Sequence, residues 1–244
     1  MTPLPQAALR TLVTLNQTSD CPFPCWNGLT PGQSGTNAIT AFFSSFGVQP
    51  LVEPFDPNAP RTEVLPNGVT ARSAWAEMSA RESPTAAAAS DLGLDDVVVY
   101  WDPVGGKVQA IRLTYFNPPP GFDAQSFFSK FGQADRVLMV EQGGEGGSEY
   151  LMAFDFPARG ALVAIGAKPT HWPNLCISQA DLEASITTRG PQIVFVAPHT
   201  DPADFVEWTT YYPEYISDPG PYTGLSENEF LHAMYTNGCV TLKE

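Results

Sequence analysis

Basic residues are scarce in this chain of 244 residues, in which 12 Lys and Arg stand against 26 Asp and Glu and give a formal net charge of −14. Such an excess of negative charge repels polyanions, and no Lys/Arg cluster interrupts it. We therefore expect neither nucleic-acid binding nor attachment to an anionic membrane surface. The acidity is explained by solubility. The alternative explanation is that it attracts a basic partner.

The chain also lacks a long apolar run and a recognisable leader. Its longest apolar stretches are short and strand-like, such as "DVVVYW", so we expect no transmembrane segment. Residues 1–20 have neither the basic region nor the apolar core of a signal peptide, which predicts a linker or N-terminal arm. The protein is therefore either cytosolic or an exported chain from which a leader, with a possible lipid anchor, was removed. We favour export because the four cysteines permit disulfides, and a chain with few charged residues but 24 Pro and 20 Gly agrees with it. The expected location is extracellular or the cell envelope.

Histidine is rare as well, and the three His residues leave few options for acid–base or metal chemistry. The most suggestive stretch is "PHTDPADF", in which His199 is close to Asp201 and Asp204 and could serve a hydrolase or a metal-assisted enzyme. An Asp before a Pro is also a common helix start, with the Asp as N-cap, and we favour this interpretation. The sequence thus favours a protein without catalytic residues, cofactor or resident metal.

Only four cysteines are present, Cys21, Cys25, Cys176 and Cys239. An even number permits two disulfides in three possible pairings. If Cys21 pairs with Cys25 across "CPFPC", Cys176 and Cys239 remain to link the last third of the chain. Zinc is a competing interpretation, because Cys21-x3-Cys25 and His171-x4-Cys176 have acceptable ligand spacing. The third interpretation is that the cysteines are free thiols.

Two similar stretches, "AFFSSFG" at 41–47 and "SFFSKFG" at 126–132, predict short amphipathic helices that end at a glycine. A weaker third copy is "LSENEFLHAMYTNG" near the C-terminus. The expected caps are Thr36 or Asn37, Asp123, and Ser226 with Glu229 in a capping box. The expected apolar faces are Ile39, Phe42, Phe43 and Phe46 in the first helix, Phe127, Phe128 and Phe131 in the second, and Phe230, Leu231 and Met234 in the third.

Hairpin signals fill the sequence between these helices. Asn67-Gly68 and Gly105-Gly106 predict tight turns, and "GGEGGSE" predicts a flexible hairpin tip. Alternation indicates two sets of inward-facing residues, Ile111, Leu113 and Tyr115 in one strand and Tyr150, Met152, Phe154 and Phe156 in another. Because most strands show a single apolar face, we expect helices to cover one face of an antiparallel sheet.

The repeated helix and the hairpins after it predict an α+β fold made of two related halves. Each half is a helix followed by an antiparallel meander, with the short helices packed on one face of the sheet. The expected boundaries are 1–20 for the arm, 21–117 for the first half, and 118–244 for the second half with its C-terminal helix.

An aromatic cluster near the C-terminus is the most unusual local feature. Tyr and Trp combine large contact area with a polar tip and dominate binding hot spots. The alternative is that these rings pack over a sheet edge. The candidate binding residues are Trp208, Tyr211, Tyr212, Tyr215 and Tyr222.

Two resemblances add to this interpretation. "CPFPCWNGLTPGQS" resembles the C-x-x-P-C-W-x-G-x-x-P-G opening of uncharacterised bacterial envelope proteins, which are often lipid-anchored, and "SFFSKFGQADRVLMV" with "YLMAFDFPARGALVAIGA" resembles their second half. This resemblance implies export and no known activity. A helix that ends in glycine before a meander is also similar to the repeats of SmpA/OmlA-like outer-membrane assembly lipoproteins and of β-lactamase inhibitor protein, which are binding or scaffolding modules. We therefore expect a module that binds a protein or a surface glycan.

Overall fold

The computed structural model describes residues 21, 24–45, 63–64, 70–77, 94–102, 105–115, 123–143, 148–169, 172–178, 191–206 and 217–243. Their helices are α1 (Thr36–Ser45), α2 (Ala124–Phe131), α3 (Gly220–Thr223) and α4 (Glu227–Asn237), with short 3-10 turns at Pro157–Arg159 and Pro202–Phe205. Their strands are β1 (Glu63–Val64), β2 (Thr70–Glu77), β3 (Leu94–Trp101), β4 (Val108–Tyr115), β5 (Arg136–Gln142), β6 (Glu149–Phe156), β7 (Ala161–Ala167), β8 (Asn174–Cys176), β9 (Gln192–Val196) and β10 (Cys239–Thr241). None of the helices in these ranges has the length and apolarity needed to cross a membrane.

Eight strands form one antiparallel sheet in the order β1-β2-β3-β4-β9-β7-β6-β5, and β8 pairs with β10 in a separate two-stranded ribbon. Strands β1 to β4 follow one another as a meander, and β5, β6 and β7 form a second one. The meanders join where β4 pairs with β9, with Ile111 opposite Phe195 and Leu113 opposite Ile193. The fold is therefore α+β, as predicted, with one continuous sheet.

The predicted turn at Gly105-Gly106 connects β3 to β4. Asp102 accepts the N–H of Gly106 at its carbonyl and the N–H of Gly105 at its carboxylate, at 2.8 and 2.9 Å. Strands β1 and β2 pair on either side of the second predicted turn, Asn67-Gly68, which lies outside the described residues. Likewise β5 and β6 pair across the glycine-rich segment, with Gln142 opposite Glu149.

Helices α2 and α4 begin as the sequence predicts. Asp123 accepts the N–H of Ser126 at 2.8 Å, which satisfies one of the free donors in the first turn of α2. Ser226 and Glu229 form the expected capping box of α4. The predicted apolar residues of both helices are buried, namely Phe127, Phe128, Phe131, Phe230, Leu231 and Met234.

Helix α1 places Ile39 and Phe42 in the same core cluster as the apolar faces of α2 and α4. The ring of Phe42 lies 5.3 Å from that of Trp26. The predicted cap, Thr36 or Asn37, lies in the first turn of α1, which begins at Thr36. The side chain of Phe43, together with Phe46 and Gly47, falls outside the described part of the chain.

The sheet is buried on both faces, whereas the sequence alternation predicted a single apolar face. Helices α1, α2 and α4 lie with the inward residues of β4 and β6 in one cluster, and the second face has its own buried residues, among them Leu151, Leu162 and Val194. Phe205 of the second 3-10 turn packs there, 5.0 Å from the ring of Tyr100. The reason is that β7 ("ALVAIGA") and β9 ("QIVFV") are apolar on both alternations, as central strands covered on two sides must be.

The β5 edge of the sheet is closed by polar contacts from the C-terminal region. The N–H of Val137 donates to the Glu227 carboxylate at 2.8 Å. Met139 and Ser217 exchange two backbone hydrogen bonds of 2.9 and 3.0 Å. Because an open edge invites pairing with other chains, these contacts protect the sheet against association.

Replacing Phe128 by Ala should destabilise the protein by roughly 3–5 kcal/mol, the usual cost of removing a buried aromatic ring. Phe128 is 1% exposed and meets the rings of Phe154 and Phe156 at 5.5 and 5.9 Å. Urea unfolding measures the free energy, with Ser129→Ala on the exposed side of α2 as the matched control. A loss no larger than that of the control would contradict the core described above.

Candidate functional site

The predicted aromatic surface is described only at Tyr222, because Trp208, Tyr211, Tyr212 and Tyr215 lie in segment 207–216, outside the described residues. Tyr222 is half-buried on α3, where its ring meets that of Tyr150 edge-on at 5.9 Å. Its carbonyl accepts the N–H of Lys243 at 2.8 Å. The residue is therefore held firmly and still exposes part of its ring.

The described residues on either side of segment 207–216 belong to the sheet or its edge. Val206 precedes it and is fully buried on the second face, while Ser217 follows it and is bridged to Met139 at the β5 edge. Asp218 then accepts the N–H of Gly220 at 2.8 Å, at the start of α3. The aromatic segment thus begins and ends at fixed points of the fold.

Tyr150 and Glu141 give the same region a polar and acidic character. Burial raises the pKa of the Tyr150 phenol, and the charge and hydrogen bond of Glu141 raise it further. The phenol consequently stays neutral and can donate its O–H to the Glu141 carboxylate. Glu141 itself is exposed. The Tyr150 ring is itself only 4% exposed, so the half-buried Tyr222 ring and the exposed Glu141 are the groups that a partner with hydrogen-bond donors or positive charge can reach.

The structure gives Asp201 a structural role. Its carboxylate caps the 3-10 turn by accepting the N–H of Ala203 at 3.0 Å, and it pairs with Arg136 at 2.9 Å. The favoured interpretation of "PHTDPADF" as a cap followed by Pro202 is confirmed. His199 is exposed with a φ of 67°, and the side chain of Asp204 falls outside the described residues.

Arg136 and Asp155, which sequence reasoning missed, complete this polar cluster. Arg136 of β5 contacts Asp155 of β6 at 3.0 Å, opposite it in the sheet, and reaches Asp201 at the same time. Oδ1 of Asp155 is buried without a hydrogen-bond partner. Burial raises the pKa of the Asp155 carboxyl, and Arg136 offsets this only in part. The available signal was an Asp inside the apolar strand "YLMAFDF".

Both predicted disulfides are present, Cys21–Cys25 and Cys176–Cys239. The zinc interpretation is wrong, because the thiolates it requires are joined in disulfides, and no group of His, Cys, Asp and Glu in the described ranges is placed to hold a metal. Loop-closure entropy assigns about 4 kcal/mol to a bridge with a sequence separation of 63, but only about 2 kcal/mol to one with a separation of 4. The short bridge therefore contributes less to folding.

Contacts other than the disulfide hold the opening motif against the end of the sheet. Trp26 and Leu29 are 3% and 1% exposed and belong to the main core. Pro24 lies against Gly160, where a Cβ would come within 3.3 Å of Pro24 and 3.1 Å of the Val196 carbonyl. Gly160 also has a φ of 56°, so both its backbone conformation and the close packing require glycine.

Comparison of the chain with protein-family models, with curated proteins and with solved structures gives no match.

Replacing Asp155 by Asn should raise stability at pH 7. A carboxyl whose pKa is raised in the folded state binds its proton more tightly there, so its ionised form costs stability at neutral pH. This cost disappears as the pH falls through the folded pKa, and the advantage of Asn over Asp should shrink with it. Urea unfolding at pH 7 and at lower pH measures the difference. Asp135→Asn, which removes only a neighbouring charge that adds to the Asp155 shift, should raise stability by less. A variant less stable than the parent at pH 7 would show that the Arg136 pair outweighs burial.

Reduction under denaturing conditions should raise the intact mass by about four hydrogens, two for each disulfide. Mass spectrometry with and without reductant checks this. Alkylation before reduction should label no cysteine, since the described chain contains no free thiol. A rise of only two hydrogens, or none, would disprove one bridge or both.

Proposed function

We propose that this protein is a non-catalytic binding module of the cell envelope or the extracellular space, which holds a protein or glycan partner through its aromatic segment and Tyr222. The observation that carries the proposal is the attachment of this segment at both ends, through buried Val206 and through Ser217 at the β5 edge. Loops mounted on a rigid sheet are the usual carriers of recognition. Tyr and Trp are the residues most enriched in hot spots.

The cysteines support the proposed location. Two disulfides that use all four cysteines of the chain are typical of proteins outside the reducing cytosol. The resemblance of the opening motif to envelope proteins agrees with this, and it leaves a lipid anchor on a removed leader as part of the proposal.

The alternative, a hydrolase or metal-assisted enzyme, would rest on His199 with Asp201 or Asp204. Asp201 is poorly suited to act as a general base because its carboxylate already accepts the N–H of Ala203 and pairs with Arg136. A base or ligand carboxylate needs a free oxygen directed at the substrate or metal. We therefore prefer the binding function.

We also propose that the two halves are related by duplication. In the sheet, the strands of the first meander stand in the order β1-β2-β3-β4, and those of the second follow in reverse, as β9-β7-β6-β5. In this comparison β9 corresponds to β4 and β7 corresponds to β3. Helices α1 and α2 precede the two meanders. This arrangement supports the similarity to helix-plus-meander scaffolding modules, with β8, β10 and α4 as additions.

Replacing Tyr211 and Tyr212 together by Ala should lower partner capture at least about tenfold, because truncating hot-spot aromatics costs about 2 kcal/mol or more. The measurement is the yield of one cross-linked adduct, identified by mass spectrometry, after cross-linking in the native envelope. Tyr235→Ala is the matched control, since Tyr235 is 51% exposed but lies on α4. An undiminished adduct from a double variant with unchanged melting temperature would reject this surface.

A further inference from the structure

The Cys21–Cys25 disulfide has an asymmetric environment that suits exchange chemistry. Cys21 is half-exposed, whereas Cys25 is 8% exposed and lies next to buried Trp26. The N–H of Gly28 donates to Sγ of Cys21 at 3.4 Å. One sulfur is therefore accessible and receives a hydrogen bond, and the other is shielded.

The backbone of the opening motif directs this N–H towards the sulfur. Trp26 and Leu29 exchange two backbone hydrogen bonds of 2.8 and 2.9 Å, which close a tight turn. Asn27 and Gly28 occupy its two central positions with φ of 47° and 85°. Asn-Gly is the pair that adopts these angles most readily. Because an N–H that donates to sulfur stabilises a thiolate, the turn favours ionised Cys21 whenever the bond is open.

The segment has anchors that do not depend on the disulfide. Gly32 donates its N–H to the Val108 carbonyl at 2.7 Å, and Val108 donates its own N–H to Ser34 at 2.9 Å. Trp26 and Leu29 are buried in the main core and bond to each other through their backbones, so none of these contacts uses a cysteine sulfur. We therefore expect the motif to stay attached to the sheet when the bond opens.

The second disulfide offers a contrast within the same chain. Cys176 and Cys239 are each half-exposed, as Cys21 is, but they stand opposite each other in the β8–β10 ribbon, where the paired residues next to them, Leu175 and Val240, are 0% and 4% exposed. A bridge between paired strands holds its sulfurs in place on both sides. It serves as the internal reference for the first.

We propose that Cys21–Cys25 is an exchangeable disulfide that accepts electrons from a dithiol on a protein partner, with Cys21 as the sulfur under attack. A thiolate of the partner attacks Sγ of Cys21, the bond to Cys25 breaks, and Cys25 leaves as a thiolate that takes a proton from water. The product is a mixed disulfide between Cys21 and the partner.

A second thiolate of the partner then attacks the partner's own sulfur in that mixed disulfide. Cys21 leaves as a thiolate that accepts the Gly28 hydrogen bond, and the partner's disulfide forms. Two electrons pass from the partner to the pair. The partner's thiols release two protons to water; Cys25 takes up one, and the other stays in solvent while Cys21 is ionised and is taken up when Cys21 protonates. This activity goes beyond the proposed binding function and does not use the aromatic segment.

The first test titrates the full chain with mixtures of reduced and oxidised dithiothreitol, followed by alkylation and peptide mass spectrometry. Cys21–Cys25 should be half-reduced at a ratio of reduced to oxidised reagent at least about tenfold lower than Cys176–Cys239 requires. Reduction of both pairs together, or of Cys176–Cys239 first, overturns the proposal.

The second test compares Cys25→Ser, which leaves Cys21 as a single thiol, with Cys21→Ser, which leaves buried Cys25. Alkylation of Cys21 should have its pH midpoint below about 8.5, the ordinary thiol value, and at pH 7 it should be at least about tenfold faster than that of Cys25. A midpoint at or above the ordinary value overturns the role of Gly28.

The variant that lacks both sulfurs, Cys21→Ser with Cys25→Ser, should keep the melting temperature within a few degrees of the parent, because the segment has other anchors. Unfolding of this variant would show that the bridge is a structural staple and would overturn the proposal. If a single-cysteine variant fails to fold, the titration of the parent protein decides alone.

Discussion

Two meanders become one sheet because β4 and β9 pair across five residue positions, from Ala110 opposite Val196 to Thr114 opposite Gln192. The side chains at this seam are almost completely buried, with Ile111, Leu113, Ile193 and Phe195 all at 0% exposure. Without the pairing, β4 would present an apolar edge to water, and β9 would lose one of its two neighbours. Both faces of the sheet, and hence both core clusters, depend on it.

The segments for which we propose functions are connected to the ends and the edge of this sheet. The opening motif attaches at the start of β4, where Gly32 bonds to Val108, and beside the end of β9, where Pro24 packs against Gly160. Of the residues that flank the aromatic segment, Val206 is buried on the second face and Ser217 is bridged to Met139 at the β5 edge. The sheet therefore acts as a rigid frame, and the proposed binding and exchange sites are separate parts of the chain mounted on it.

Features set by local sequence could be predicted. The Asp123 cap, the Ser226–Glu229 capping box and the Gly105-Gly106 turn each depend on groups a few residues apart, so the side-chain chemistry specifies them directly. Alternation likewise identified the inward residues of β4 and β6. The even cysteine count indicated that two disulfides were possible, but the structure decided between the three pairings.

Features set by long-range contact could not be predicted from the same patterns. Strand β9 pairs with β4 about eighty residues earlier in the chain, and no local signal specifies such a partner. The Arg136–Asp155–Asp201 cluster joins two strands and a loop for the same reason. The continuous apolar runs "ALVAIGA" and "QIVFV" do indicate strands that are buried on both faces. The prediction of a single apolar face relied instead on the alternation in β4 and β6.

Hydrogen exchange followed by mass spectrometry tests the central pairing most directly. If β4 and β9 form the seam of one cooperative sheet, peptides covering 108–115 and 191–197 should be the most protected of the chain and should exchange together, at the rate of global unfolding. If peptides from 136–167 stay protected while those from 94–115 exchange much earlier, the meanders open independently. That result would contradict a single continuous sheet.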